Sequence, residues 1–267
     1  MQAALARETV DSEPPVLHAE NLSLGYPTEH GWRPVVHGIS FSVPARRTLA
    51  IVGESGSGKS TVAKAIVKLI PVQGGSLTFH ETDLAPLSKR AFFPFRKRIQ
   101  MIFQDPSMAL NPRRPVRDLL EEPLSIHFPE MSRAQRNAKI KDLLKAVHLP
   151  EDCLDRFASE FSGGQRQRLL IARALSVEPE VLVCDEPVSA LDVSIQARLL
   201  ALLKSLREEH RLTLVFISHD LAVVQQFADD LIVMQNGRVV EAGPAHAVIQ
   251  NPAHPYTRML VESCPHW

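Results

Sequence analysis

A chain of 267 residues with 45% hydrophobic content can form one large α/β domain, or a core with an inserted subdomain, and is too apolar for wholesale disorder. Thirty basic residues balance thirty acidic ones, which gives no support for a dedicated nucleic-acid binder. Cys153, Cys184 and Cys264 stand far apart with no CxxC pair, which argues against a disulfide framework or a zinc site and suits a reducing cytoplasm.

Residues 1–13 carry charges and no apolar h-region, so they do not read as a signal peptide, and 1–14 is expected to be a disordered tail. No apolar run approaches the roughly 20 residues that span a bilayer, so any membrane role must come through partners. Strands are expected over 16–19, 39–43 and 48–52, the last a short apolar run that ends at glycine as a buried parallel strand would. A helix follows over 58–70, stopped by Pro71, and strands are expected over 76–79 and 98–103. From residue 105 to 176 strand signals vanish. Ser132-Arg-Ala-Gln135 forms a capping-box pattern ahead of Ile140, Leu143, Leu144 and Val147 on one helical face. The α/β rhythm returns with a buried strand over 181–184, a helix over 193–209 and a strand over 214–217. Strands over 231–235 and 238–241 flank the hairpin signal Asn236-Gly237. The expected organisation is a first core part over 15–104, a helical subdomain over 105–176, a second core part over 177–250 and a C-terminal tail over 251–267.

Three local patterns carry chemistry. Gly53-Glu54-Ser55-Gly56-Ser57-Gly58-Lys59-Ser60 fits G-x-x-x-x-G-K-[ST] between a strand and a helix. Glycines let the backbone curl with its N–H groups inward, and the helix that opens through Thr61 adds its dipole. Lys59 would bring a point charge to the β/γ-phosphates of ATP, and Ser60 a hydroxyl to Mg²⁺. The strand over 181–184 ends in Asp185-Glu186, where a parallel sheet sets carboxylates beside such a loop. Asp185 would hold Mg²⁺ through its waters, and Glu186 would act as general base. Lastly, Ser162-Gly163-Gly164-Gln165 opens an apolar helix with capping-box spacing. Its two glycines would let a ligand approach the backbone, which makes a second anion-binding helix end.

With these three patterns together, the chain resembles the ABC ATPases over residues 16–259, with 162–165 similar to their signature motif. The resemblance implies a P-loop NTPase (RecA-like) α/β core with an antiparallel β subdomain and an inserted α-helical subdomain. It implies two subunits packed head to tail, each ATP sandwiched between one phosphate loop and the other signature helix. Gln104 resembles the Q-loop glutamine that contacts Mg²⁺ and relays to the membrane partner. Ser189-Ala-Leu-Asp192 resembles the loop that crosses the dimer interface, with Asp192 at its end. His219 resembles the switch histidine at the γ-phosphate, and Tyr26, in an expected loop, matches the aromatic that stacks on adenine.

Phe103-Gln-Asp-Pro106, Leu110-Asn-Pro-Arg113, residues 185–196 and Asn251-Pro-Ala-His-Pro-Tyr-Thr257 resemble the peptide and nickel importer branch more narrowly. That branch implies a peptide, nickel or metal-chelate cargo. It also implies two membrane-spanning permease subunits and a second ATPase subunit, paralogous or identical. An extracytoplasmic substrate-binding protein would act through the permease, with this chain peripheral on the cytoplasmic face of the inner (plasma) membrane. The sequence departs from the branch twice. Phe161 replaces the usual leucine before the signature, an apolar exchange that should preserve the cap. Only Cys264 follows the His-Pro-Tyr-Thr motif, so no iron–sulfur cluster is expected. Two other readings compete. A non-transport ABC ATPase in DNA repair or translation would usually show coiled-coil arms or two ATPase domains. A P-loop phosphotransferase would not need residues 162–165.

Overall fold

The structure, a computed structural model, describes residues 14–29, 31–106, 109–189 and 191–263. Residues 1–13, Ala190 and Cys264, on which expectations were placed, lie outside the described residues.

Two long strands, β1 (Leu17–Thr28) and β2 (Gly31–Val43), pair antiparallel across a short turn. Both run much further than the expected 16–19 and 39–43. Register shifts within the pair break the apolar alternation that marks a strand in sequence. The chain then enters β3 (Thr48–Val52), five residues all buried and with the predicted limits. Next comes α1 (Lys59–Ile66), shorter than the expected 58–70. Lys68 takes a left-handed φ of 56°, and the Leu69 N–H closes back on the Lys64 carbonyl at 2.8 Å, a helix stop that acts before Pro71 is reached. β4 (Val72–Phe79) and β5 (Thr82–Asp83) complete a four-stranded sheet of order β2-β1-β4-β5.

β6 (Ile99–Ile102) leads into three helices, α2 (Val116–His127), α3 (Arg133–Ala146) and α4 (Gly163–Leu175). The capping box at Ser132 and Gln135 is formed, and Ile140, Leu143, Leu144 and Val147 are buried as their spacing predicts. β7 (Val181–Asp185), α5 (Val193–His210), β8 (Thr213–Ser218) and α6 (Leu221–Phe227) restore the alternation. The hairpin of β9 (Asp230–Gln235) and β10 (Arg238–Pro244) turns at Asn236-Gly237, both with positive φ. Two short helices follow, α7 (Ala245–Gln250) and α8 (Pro255–Glu262).

The second sheet has the order β10-β9-β3-β8-β7-β6, parallel throughout except at β10. A parallel strand is buried on both faces, so alternate residues of β3 serve two cores. Leu49 and Ile51 pack with α1 and the antiparallel sheet through Val62, Ile66, Leu17 and Leu24. Ala50 and Val52 pack with α6, α7 and α8 through Leu221, Val224, Val248 and Tyr256. Further along, Leu182, Cys184, Leu214 and Phe216 join the helices α4 and α5. Cys153 and Cys184 are buried thiols outside any disulfide. Among the described residues no helix is long and apolar enough to cross a membrane.

Candidate functional site

Four adjacent parallel strands run out at the same edge of the sheet. β3 ends just before Gly53, β8 just before His219, β7 at Asp185 just before Glu186, and β6 just before Phe103 and Gln104. Residues more than a hundred positions apart therefore meet where an open parallel sheet places its ligands. They line an open cavity of about 610 Å³ whose wall includes Glu54, Gly56, Lys59, Gln104, Glu186 and His219. Ser55, Gly58, Ser60 and Thr61 complete the loop side of that wall.

Gly53 begins the loop at a φ of 149°, and a Cβ there would lie 2.1 Å from the Met234 carbonyl of β9. Only glycine lets the loop sit this close to the neighbouring strand. Lys59 is 4% exposed, and its ammonium donates to the carbonyls of Gly53 at 2.7 Å and Glu54 at 2.8 Å. Burial pulls the Lys59 pKa below its ordinary value, and the carboxylates of Glu186, Asp185 and Glu54 offset part of that. The Ser57 hydroxyl is buried without a hydrogen-bond partner among the described residues. A desolvated cation resting on carbonyl dipoles beside an orphaned hydroxyl fits an incoming phosphate.

Asp185 is 5% exposed and accepts a hydrogen bond from the Ser60 hydroxyl at 2.9 Å. Burial lifts its carboxyl above the ordinary value; the Ser60 bond opposes this and the neighbouring Glu186 adds to it. The Asp185 carboxylate, the Ser60 hydroxyl bonded to it and the amide oxygen of nearby Gln104 are hard oxygen donors of the kind that suits Mg²⁺. Glu186 holds a left-handed φ of 47°, a costly conformation for a residue other than glycine, fixed by its N–H to the Ile217 carbonyl at 3.0 Å. Its carboxylate accepts from the Gln104 amide at 3.0 Å and meets the His219 Nδ1 at 3.2 Å. The acid singled out from sequence thus touches both the glutamine and the histidine.

Tyr26 needs correction on its setting. It stands in β1 and not in a loop, because pairing with Arg33 of β2 extends the strand past it. It is half-buried, its hydroxyl 3.3 Å from the Thr61 Oγ1, and it lines a second cavity of about 520 Å³. Val35 and Gly56 border both cavities, so the two are neighbours.

Ser162–Gln165 and Asp192 do not line either cavity. The capping box is formed: the Gln165 N–H reaches the Ser162 hydroxyl at 3.4 Å, and the Ser162 N–H reaches the Gln165 side chain at 3.0 Å. Ser162 and Gly163 are exposed, so the end of α4 faces outward. Gly164 is buried, and a Cβ there would lie 2.7 Å from the Ile195 Cγ2 of α5. Its missing side chain serves helix packing, a reason local sequence does not display. Asp192 sits at the start of α5, exposed, and its carboxylate makes no capping bond.

Two supports of the loop were not foreseen. The Gly237 N–H of the β9–β10 turn donates to the Ser57 carbonyl at 3.1 Å, and the Glu54 N–H donates to the Tyr256 hydroxyl at 2.8 Å. Both join residues about 180 or more positions apart, and no spacing rule announces them.

The family model for ABC transporters matches residues 36–189, and that for the oligopeptide/dipeptide transporter C-terminal region matches residues 240–267. The oligopeptide transport ATP-binding protein OppF of Streptococcus mutans is 46% identical over 230 residues, 86% of this chain and 75% of that protein. A probable peptide ABC transporter ATP-binding protein of Sinorhizobium fredii is 45% identical over 257 residues, 94% of this chain and 72% of that one. Among solved structures, cbiO1 of Clostridium perfringens, part of the ABC transporter complex cbiONQ, superposes with a TM-score of 0.80 at 26% identity, covering 90% of this chain and 92% of that one. The dimeric post-hydrolysis cassette MJ0796, bound to ADP and Pi, gives 0.78 at 27% identity, covering 86% and 98%. Strand edge, phosphate loop and sequence likeness agree: this chain belongs to the ABC transporter family, as an ATP-hydrolysing subunit coupled to transport.

Proposed function

We propose that this chain is the motor of a peptide importer and works as one half of a head-to-tail dimer, each ATP lying between the phosphate loop of one subunit and residues 162–165 of the other. One observation carries the reading: four strand ends bring the Lys59 loop, Glu186, Gln104 and His219 to one cavity, with Asp185 bonded to Ser60 in its wall, while the capped end of α4 does not line it. The loop from Gly53 to Thr61 wraps the phosphates with Lys59 as its charge, and Tyr26 offers its ring to adenine from the adjoining cavity. Ser60, Gln104 and Asp185 would hold Mg²⁺, which supplies charge neutralisation at the β- and γ-phosphates. Glu186 takes a proton from the attacking water, and His219 steadies charge at the γ-phosphate. Asp192 faces the partner across the closed interface. Closure is favoured because the contacts to residues 162–165 exist only in the closed dimer.

Coupling runs through Gln104 and the residues up to Asn111, of which 107 and 108 lie outside the described residues. Beside them is an open groove of about 520 Å³ lined by Leu69, Phe103, Ala109 and Ile126. Leu69 and Ile126 are 57% and 52% exposed, an apolar surface suited to one of two permease subunits. The chain would then sit peripherally on the cytoplasmic face of the inner membrane. It would have a second ATPase subunit beside it and an extracytoplasmic binding protein across the permease. Within the cargoes the sequence left open, the peptide-transport names of the relatives support a peptide over nickel or a metal chelate.

The complex purified with its permease and placed in liposomes tests this. ATP-driven accumulation of short peptides, with turnover stimulated by the peptide-loaded binding protein, is the expected result. A chain that never associates with membranes and is stimulated by nucleic acid would overturn it.

A further inference from the structure

We propose that the His-Pro-Tyr-Thr segment is a positioning element of the nucleotide site, with Tyr256 fixing the first peptide of the phosphate loop. The inference rests on the reading that this loop binds ATP.

His254, Pro255 and Tyr256 each have a physical task. Glu241 of β10 accepts the N–H groups of Ala253 at 2.8 Å and His254 at 2.9 Å, which fixes where the segment approaches the sheet. His254 caps α8, its Nδ1 accepting the Tyr256 N–H at 3.2 Å. Pro255 takes the first helical position, where its missing N–H costs nothing and its fixed φ suits the helix. Tyr256 is thereby set one residue into the helix, 6% exposed, its ring packed with Val52, Val224 and Val248. Thr257 is fully buried behind it.

The ring leads the hydroxyl to one place, the Glu54 N–H at 2.8 Å. That N–H and the Gly53 carbonyl belong to the same peptide plane, and no described peptide is cis, so they point to opposite sides. Lys59 holds the carbonyl side at 2.7 Å and Tyr256 holds the N–H side. The peptide on which the phosphate-binding lysine rests is thus gripped from both edges, one grip coming from a residue 202 positions away. The Glu54 carbonyl, in the next peptide plane, accepts from the Lys59 ammonium and from the Ser57 N–H at 3.2 Å, so a tilt of the first plane, passed on through Glu54, would move the lysine and the next turn of the loop together. Pre-forming that curl removes an ordering cost from nucleotide binding. Tyr256 acts through the loop and not on the reacting atoms.

The test uses the full chain and Mg-ATP. Tyr256→Phe keeps the ring and removes the acceptor; the loss of one hydrogen bond to the loop should weaken Mg-ATP affinity about fivefold. In the assembled complex KM for ATP should rise by the same factor while kcat stays within about twofold. Amide exchange at residues 53–58 in the nucleotide-free chain should quicken, with that of β9 and β10 unchanged. Wild-type affinity together with wild-type loop exchange in Tyr256→Phe would overturn the proposal. So would a fall in Tm that accounts for the lost affinity while loop exchange stays as in wild type. If the Phe variant does not fold, Glu241→Gln decides: it loosens the segment without touching the phenol and should shift affinity in the same direction, and no shift would overturn the proposal. Wild-type chain that fails to bind Mg-ATP would remove the function itself, whereas wild-type binding matched by Tyr256→Phe removes this inference alone.

Discussion

Two helices of this chain open with glycine-rich turns and outward N–H groups, and they are furnished in opposite ways. The start of α1 is surrounded by its own chain: Lys59, Glu186, Gln104 and His219 line its cavity, and Asp185 is bonded to Ser60 in the cavity wall. The start of α4 carries its own capping box of Ser162 and Gln165, and among the described residues Asp185, Glu186, Gln104 and His219 make no hydrogen bond to it. Both ends can attract an anion. Only the first has the groups to act on one. The contrast teaches that half of a site can be as well formed as a whole one; in the proposed head-to-tail dimer the bare end would be completed by the nucleotide of another subunit.

The largest expected effect separates chemistry from binding at the furnished end. Glu186→Gln should retain ATP binding and lower turnover at least about 100-fold, since a positioned general base contributes on that order. It should also lengthen the life of the closed dimer, and normal turnover would remove Glu186 as the base. Lys59→Ala should lower nucleotide affinity of the isolated chain by about 10- to 100-fold, the range for a charge-assisted hydrogen bond; near-wild-type affinity in a titration would break the comparison at its first term. Ser162→Asp sharpens the second term. Aspartate caps a helix as well as serine does but sets a negative charge where a phosphate should arrive. Tm and nucleotide affinity of the isolated chain should hold, while turnover of the assembled complex falls at least about tenfold. Unchanged turnover would show α4 to be an ordinary capped helix. Smallest is Gly164→Ala, whose Cβ crowds Ile195: it should cost about 1–3 kcal/mol of stability in a denaturation curve and leave nucleotide affinity of the isolated chain alone.

What could be read from sequence divides along the same physical lines. β3 was legible to the residue because a strand buried on both faces is an unbroken apolar run. The furnished site was legible because its groups sit at strand ends or on a motif whose spacing has a mechanical cause. β1 and β2 were not, since register shifts and the sequence Gly25-Tyr26-Pro27 hide the pairing that places Tyr26 in a strand. α1 looked longer than it is because Lys68, a good helix former, supplies the left-handed stop that glycine usually gives. Gly164 was read as making room for a ligand, and it also makes room for Ile195. The grip of Tyr256 on Glu54 depends on where α8 docks against β3, which only the folded chain decides.

The most direct test asks who touches the nucleotide. Chains carrying Lys59→Ala, whose own loop should hold ATP at least about tenfold more weakly, can be assembled with an intact partner ATPase subunit and its permease. The complex is then exposed to an ATP analogue with a photoreactive group on its γ-phosphate. Label recovered on residues 162–165 of the Lys59→Ala chain is the predicted result, because that nucleotide belongs to the other subunit. Label confined to the partner's own phosphate loop, with residues 162–165 clean, would contradict a nucleotide shared between two chains.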